Sequence, residues 1–174
     1  GSIDWDKRAV QSAKSLIAAV CFKETSVSLV EKTDNLIYPP IGFYYSIFHL
    51  SLSLLKLDYS TDVNELKDIH HRELEKKVRS KFISTRILTD NYVNHMVKLK
   101  KLRESCNYRF GSTEYWLREE LKTADDLTDS CFDEGLSFVH IVLQETDMLF
   151  RFQVSIGDSF GDDIIDNYLS GEER

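Results

Sequence analysis

The sequence predicts an all-α fold, an antiparallel helical bundle with about five main helices, and three observations carry that expectation. Apolar residues recur at three- and four-residue steps along most of the chain, the spacing of one helix face. Only 7 Gly and 2 Pro occur in 174 residues, too few for an all-β chain that must turn every ten residues or so. The third is the stretch IGFYYSIFHLSLSLLKL from Ile41 to Leu57. Phe43, Ile47, Leu50, Leu54 and Leu57 form one stripe of it, and Ile41, Tyr44, Phe48, Leu52 and Leu55 a second beside the first. Tyr45, Ser46, His49, Ser53 and Lys56 are left for the remaining face. A helix that is apolar over more than half its circumference needs several neighbours to cover it, so it belongs at the centre of the bundle.

The elements follow in order. Trp5 to Val20 is an amphipathic helix with Trp5, Ala9, Ala13, Leu16, Ile17 and Val20 inward, and Asp4 and Asp6 suit its positive N-terminal end. Between Phe22 and Asn35 the run Thr25-Ser26-Val27-Ser28 weakens the helical pattern, leaving either a turn and a short helix or a continuation to Val30. Leu36 to Pro40 reads as a connector, because a residue before proline avoids helical angles. The central helix comes next, and Asp58 to Asn64 is a polar loop. A basic helix runs from His71 to Ile83 with Leu74, Val78 and Phe82 inward. His71 is expected to cap or hydrogen-bond near the start of that helix. After a connector at Ser84 to Asp90, Asn91 to Tyr108 is the fourth helix, with Tyr92, Met96, Leu99, Leu102 and Cys106 inward. Gly111 is expected to end it, and Ser112-Thr113-Glu114 to cap the next.

That last long helix starts at Thr113 and reaches toward Met148. Leu117, Leu121, Ala124, Thr128, Cys131, Gly135, Phe138 and Val142 alternate steps of four and three, a seam against the bundle or a partner helix. Gly135 within it points to a close helix approach or a kink. The domain division expected is a helical bundle over residues 3–150 and an acidic tail over 151–174, the tail either disordered or a docking strip.

Charge is distributed unevenly. The net charge is −7, which argues against nonspecific nucleic-acid binding by the chain as a whole. Residues 1–63 carry −1, residues 64–103 carry +6 and residues 104–174 carry −12. A basic middle and an acidic end suit self-association, or a basic face awaiting an anionic ligand. The 3 cysteines, Cys21, Cys106 and Cys131, are widely spaced with no C-x-x-C, so neither a zinc site nor a disulfide framework is indicated. They read as buried or half-buried thiols in a reducing compartment, with the cytoplasm as the expected location. No run of eighteen or more apolar residues exists, so no membrane span is expected.

No Gly-rich phosphate loop, H-E-x-x-H or nucleophile elbow is present. Asp126 with Asp129, and Asp129 with Asp133, have spacings that can share a cation. A di-metal bundle also needs Glu-x-x-His pairs, which are missing. The acidic row therefore reads as a solvated face, and neither a metal nor a cofactor is expected. Neighbours on a helix point about 100° apart, so His70 and His71 are poor joint ligands.

Three stretches resemble a known family. Tyr44-Tyr45-Ser46-Ile47-Phe48-His49 is similar to the Y-Y-x-x-F-H helix of the HEPN superfamily, the small helical domains of bacterial toxin–antitoxin and defence systems. His71-Arg72 stands where many members have a Ser-His-Lys/Arg turn. Leu99, Leu102, Arg103, Asn107 and Tyr108 resemble its L-x-x-L-R-x-x-A-D-Y segment. The resemblance covers roughly residues 4–146 and implies a helical bundle, commonly a homodimer. Its catalytic members carry an Arg followed after four to six residues by His. Here Arg103 is followed at those positions by Tyr108, Arg109 and Phe110, and a tyrosine titrating near 10 is a poor base at neutral pH. The resemblance thus implies a non-catalytic or degenerate RNA- or nucleotide-binding or regulatory module. Arg103, Asn107 and Tyr108 would hold the ligand with His71, Arg72, Lys76, Lys77 and Arg79 of the basic helix. The alternatives are a metal-independent endoribonuclease using Arg103 and Tyr108 or a histidine from elsewhere, and a protein-interaction domain whose acidic last helix and tail dock a basic cognate partner. Arg103 also suits a purely structural role, a buried ion pair or a carbonyl cap with its stem on apolar neighbours.

Overall fold

The computed structural model describes residues 3–108 and 114–160 together with Tyr168, without the side chains of 107, 108, 114–116 and 158–160. Every regular element among them is helical: α1 (Trp5–Lys32), α2 (Tyr38–Leu57), α3 (His71–Val78), α4 (Asp90–Tyr108), α5 (Glu114–Glu145) and α6 (Leu149–Phe160). A 3₁₀ turn at Val63–Leu66 precedes α3, and a π-type turn at Arg79–Ile83 continues it. The all-α bundle expected from the spacing is the fold observed, with α6 added. None of the described helices is long and apolar enough to cross a membrane.

Helix α1 starts as expected, with the Asp4 carboxylate accepting the Lys7 N–H at 3.0 Å. It does not break at Thr25–Ser28. Ser26 donates its hydroxyl to the Phe22 carbonyl one turn back at 2.7 Å, which satisfies a polar group inside the helix. Val27 and Val30 then pack against the core. Helix α2 begins at Tyr38 rather than Ile41. Pro39 and Pro40 fall in its first turn, where the missing N–H groups have no helical partner to lose. Asn35 caps that turn by accepting the N–H groups of Ile37 and Tyr38, each at 3.3 Å.

The centre of the bundle is α2, packed against α1, α3, α4 and α5. All five residues of its first stripe are buried, and so are Tyr44, Leu52 and Leu55 of the second. Of its polar strip, Ser46 and Ser53 are buried and Tyr45, His49 and Lys56 half-buried, and hydrogen bonds make that tolerable. Ser46 donates to the Ala19 carbonyl at 2.7 Å, Ser53 pairs with Ser12 at 2.7 Å, and Lys56 donates to Ser15 at 2.7 Å. Arg8, Ser12 and Ala19 of α1 meet Lys56, Ser53 and Ser46 of α2 in turn, so the two helices run antiparallel. Ser51 meets the Tyr92 hydroxyl of α4 at 2.9 Å.

Gly135 marks a close helix approach. A Cβ there would stand 3.2 Å from Leu50 Cδ2 of α2. Helix α5 stops at Glu145 because Asp147 takes the left-handed conformation (φ 56°) and the Met148 N–H reaches back to the Leu143 carbonyl at 2.8 Å, a Schellman-type closure. Gly111 and the Ser112-Thr113 cap lie outside the described residues. Among the cysteines, Cys131 is buried and Cys21 and Cys106 are half-buried.

The largest correction concerns the end of the chain. Residues 151–160, assigned to an acidic tail from the sequence, belong to α6, which packs on α1 with Phe152 and Ile156 fully buried. Leu149, Phe152 and Ile156 follow the helical spacing, but Gly157 and Gly161 obscured it. Arg151 adds an ion pair to Asp6 at 2.9 Å. Further on, the Tyr168 hydroxyl donates to Glu24, and its ring lies 5.8 Å from that of Phe132.

Candidate functional site

Three helices bring Tyr44, His71 and Arg103 together. Tyr44 sits on the second stripe of α2 and is fully buried. Buried tyrosines need a partner for the hydroxyl, and this one meets His71 Nδ1 at 2.8 Å. His71 is the first residue of α3, and the cap position belongs to His70. The expected capping role therefore falls to its neighbours: Glu73 accepts the His70 N–H at 3.4 Å, while His71 turns toward α2. Its ring stands edge-on to Phe48 at 5.0 Å and to Tyr45 at 5.7 Å.

Arg103 comes from α4. Its guanidinium carbon lies 4.5 Å from the centre of the Tyr44 ring and 5.7 Å from that of Tyr45, a cation–π arrangement. The side chain is only 15% exposed, and its nearest carboxylate is Glu104 at 3.7 Å. Nε is buried without a hydrogen-bond partner among the described residues. The ion pair expected of a structural arginine is thus present in a loose form to Glu104, and the faces of Tyr44 and Tyr45 hold the guanidinium besides.

The electrostatics are positive. Burial lowers the proton affinity of His71, and Arg103, Lys100 and His70 lower it further, opposed by Glu104. Burial pushes the Tyr44 hydroxyl up to about 12, with Arg103 working against the rise. His49 lies stacked on Phe22, 5.4 Å away, and its pKa is lowered by burial and by Lys56.

The basic residues of the third helix separate into two groups. Lys77 is held by Glu65 at 2.7 Å and Arg79 by Glu75 at 3.0 Å, so their charges are largely spent within the protein. Arg72 and Lys76 are exposed and make no ion pair among the described residues. They stand four residues apart on one face. The side chains of Asn107 and Tyr108 lie outside the described residues. The sequence reading missed Tyr44, Tyr45 and Lys100 as site residues. A phenol on a buried stripe was the available signal, since it demands a polar partner from another helix.

A pH dependence follows from the histidines. His49, His71 and His95 all have folded pKa values below the ordinary 6.5, burial being the largest cause in each. The unfolded chain therefore binds more protons below about pH 6.5, and stability present above that pH is lost as pH falls through the folded values. Melting temperature is expected to drop between pH 7.5 and 5.5; a flat or rising profile would contradict it. Asp125, raised by burial and by Asp129, acts in the opposite sense but only at lower pH.

Fold and site together define an all-α bundle carrying an arginine–tyrosine–imidazole cluster at the junction of α2, α3 and α4. Comparison with protein-family models, with curated proteins and with solved structures finds no match.

Proposed function

We propose that the protein is a HEPN-type RNA- or nucleotide-binding module of a bacterial toxin–antitoxin or defence system, cytoplasmic, homodimeric and non-catalytic. The observation that carries this reading is Arg103. A guanidinium largely withdrawn from water, with a loose ion pair to Glu104 at 3.7 Å and a buried Nε that lacks a hydrogen-bond partner among the described residues, carries a standing cost, which a phosphate would offset through the charge-assisted bonds that arginine makes well. Tyr44 holds its plane, His71 stands beside it, and Lys100, Arg72 and Lys76 supply further positive charge for the strand. The half-buried rings of Tyr45 and Phe48 offer surfaces on which a base can stack.

The test is retention of mixed tRNA in EDTA across a salt series, comparing the wild type with Arg103→Ala and Arg103→Lys. Retention is expected to weaken about 10-fold or more in Arg103→Ala, the lower end of what one hydrogen bond to a charged group contributes. The log–log salt slope should shrink by about 0.7, the value for one single-strand phosphate contact. Unchanged retention in Arg103→Ala would overturn the reading.

One observation favours the endoribonuclease as a second reading. The histidine missing downstream of Arg103 has a spatial counterpart in His71, which reaches the same tyrosine from another helix. In that chemistry the ribose 2′-oxygen attacks phosphorus, the bond to the 5′-oxygen breaks, and a proton passes from the first oxygen to the second, leaving a cyclic phosphate. Cleavage of the tRNA that disappears in both Arg103→Ala and His71→Gln would establish it. Neither cleavage nor retention would leave the acidic α5 face as a protein-docking surface.

A further inference from the structure

We propose that Tyr44 is a positioning residue that fixes His71 as the neutral Nε2–H tautomer, presenting a hydrogen-bond donor beside Arg103. The inference deepens the RNA- or nucleotide-binding reading, and its consequence for a ligand rests on it.

The Tyr44 hydroxyl and His71 Nδ1 are 2.8 Å apart, so one of them donates. The Tyr44 side chain is fully buried, and its hydroxyl has no other hydrogen-bond partner among the described residues. Were His71 to donate from Nδ1, the phenol proton would be left buried without an acceptor, at a cost comparable to a lost hydrogen bond. The phenol therefore donates, Nδ1 keeps its lone pair, and the ring proton resides on Nε2. Nε2 has no hydrogen-bond partner among the described residues and is not among the buried polar atoms that lack one. It is open to a ligand.

Protonating His71 would meet the same obstacle, because an imidazolium donates from both nitrogens. The charged groups around the pair reinforce it: Arg103 and Lys100 of α4 and His70 of α3 oppose a second cation, against Glu104 of α4, while Glu75 of α3 faces Tyr44. The site thus offers one fixed cation and one fixed neutral donor, a set suited to the oxygens of a phosphate or of a base carbonyl. The tautomer also limits chemistry. With Nε2 protonated and its lone pair at Nδ1 engaged by Tyr44, the neutral His71 ring donates a hydrogen bond but has no free site to take a proton, so it is no general base for a ribose hydroxyl.

Long-range ¹H–¹⁵N correlation spectra of the histidine rings test this on the full chain without ligand at pH 7.5, the His71 signals being assigned by their loss in His71→Gln. The wild type is expected to show a pyrrole-type Nε2 and a pyridine-type Nδ1. Tyr44→Phe, which keeps the ring and removes only the hydroxyl, should show a mixture of tautomers and a higher His71 pKa. A wild-type His71 protonated at Nδ1, or a Tyr44→Phe spectrum identical to wild type, overturns the proposal. Should Tyr44→Phe fail to fold by circular dichroism, the wild-type spectrum decides alone. Retention of mixed tRNA by Tyr44→Phe is expected to weaken about 3- to 10-fold, the worth of one hydrogen bond. A wild type that retains no tRNA would sink the functional reading and leave the tautomer to the spectra.

Discussion

Phe152→Ala is expected to destabilise the protein by about 3–5 kcal/mol, the usual cost of emptying a buried phenylalanine site. Its ring is 0% exposed where α6 crosses α1, with Ile156, also 0% exposed, one turn further on. Two residues away, Phe150 is 78% exposed, and Phe150→Ala should change stability by no more than about 0.5 kcal/mol. Urea unfolding of the two variants side by side makes the comparison internal. If residues 151–174 behaved as a loosely attached tail, both substitutions would be near neutral. Similar midpoints for the two variants would therefore return α6 to the status the sequence suggested for it. A large gap would make it part of the same cooperative unit as α1.

The contrast between α2 and α6 explains what the sequence made legible. The two apolar stripes of α2 run for five turns with no competing signal, so its burial and its central place could be read directly. Helix α6 is short and has only Leu149, Phe152 and Ile156 to announce it, set among Gly157, Gly161 and a run of aspartates. The middle of α1 stayed open between a break and a continuation for another reason. The run Thr25 to Ser28 weakened the helical pattern, and the structure takes the continuation because the Ser26 hydroxyl returns to the Phe22 carbonyl, an accommodation invisible to propensity alone.

The candidate site was half legible. Arg103 and His71 were singled out individually, from a position bordering an apolar face and from a place at a helix start. What links them is Tyr44, which the pattern assigned simply to a core stripe. Nothing in the spacing within any one helix reveals that α3 and α4 present these two side chains to the same phenol; that is decided by how the helices cross α2. Charge counting overstated the basic helix for a similar reason. Lys77 and Arg79 are paired with Glu65 and Glu75, and of those two partners only Glu75 stands a helical turn away on the same helix.

Gly42→Ala is expected to cost about 2 kcal/mol, within the range for forcing an extra carbon into a packed interior, even though alanine is worth about 1 kcal/mol more than glycine inside a helix. The reason is the α1–α2 crossing. A Cβ at position 42 would fall on Ser26 Oγ, with Tyr38 Cε1 at 3.0 Å and the Phe22 carbonyl oxygen at 3.2 Å. Ser26 could swing aside only by giving up its bond to that carbonyl, and the carbonyl is backbone that cannot rotate away. The double variant Ser26→Ala/Gly42→Ala removes the worst contact and should recover part of the loss, giving a coupling of about 0.5 kcal/mol or more in a double-mutant cycle. Gly135→Ala is the control: its three nearest neighbours are the Cδ2, Cδ1 and Cγ atoms of the buried Leu50 at 3.2, 3.3 and 3.4 Å, with no backbone among them, so its helix-propensity gain and its crowding oppose each other and the net change should be small. Equal effects at the two glycines in urea unfolding would mean that the close approach of α1 to α2 is not what demands glycine at 42.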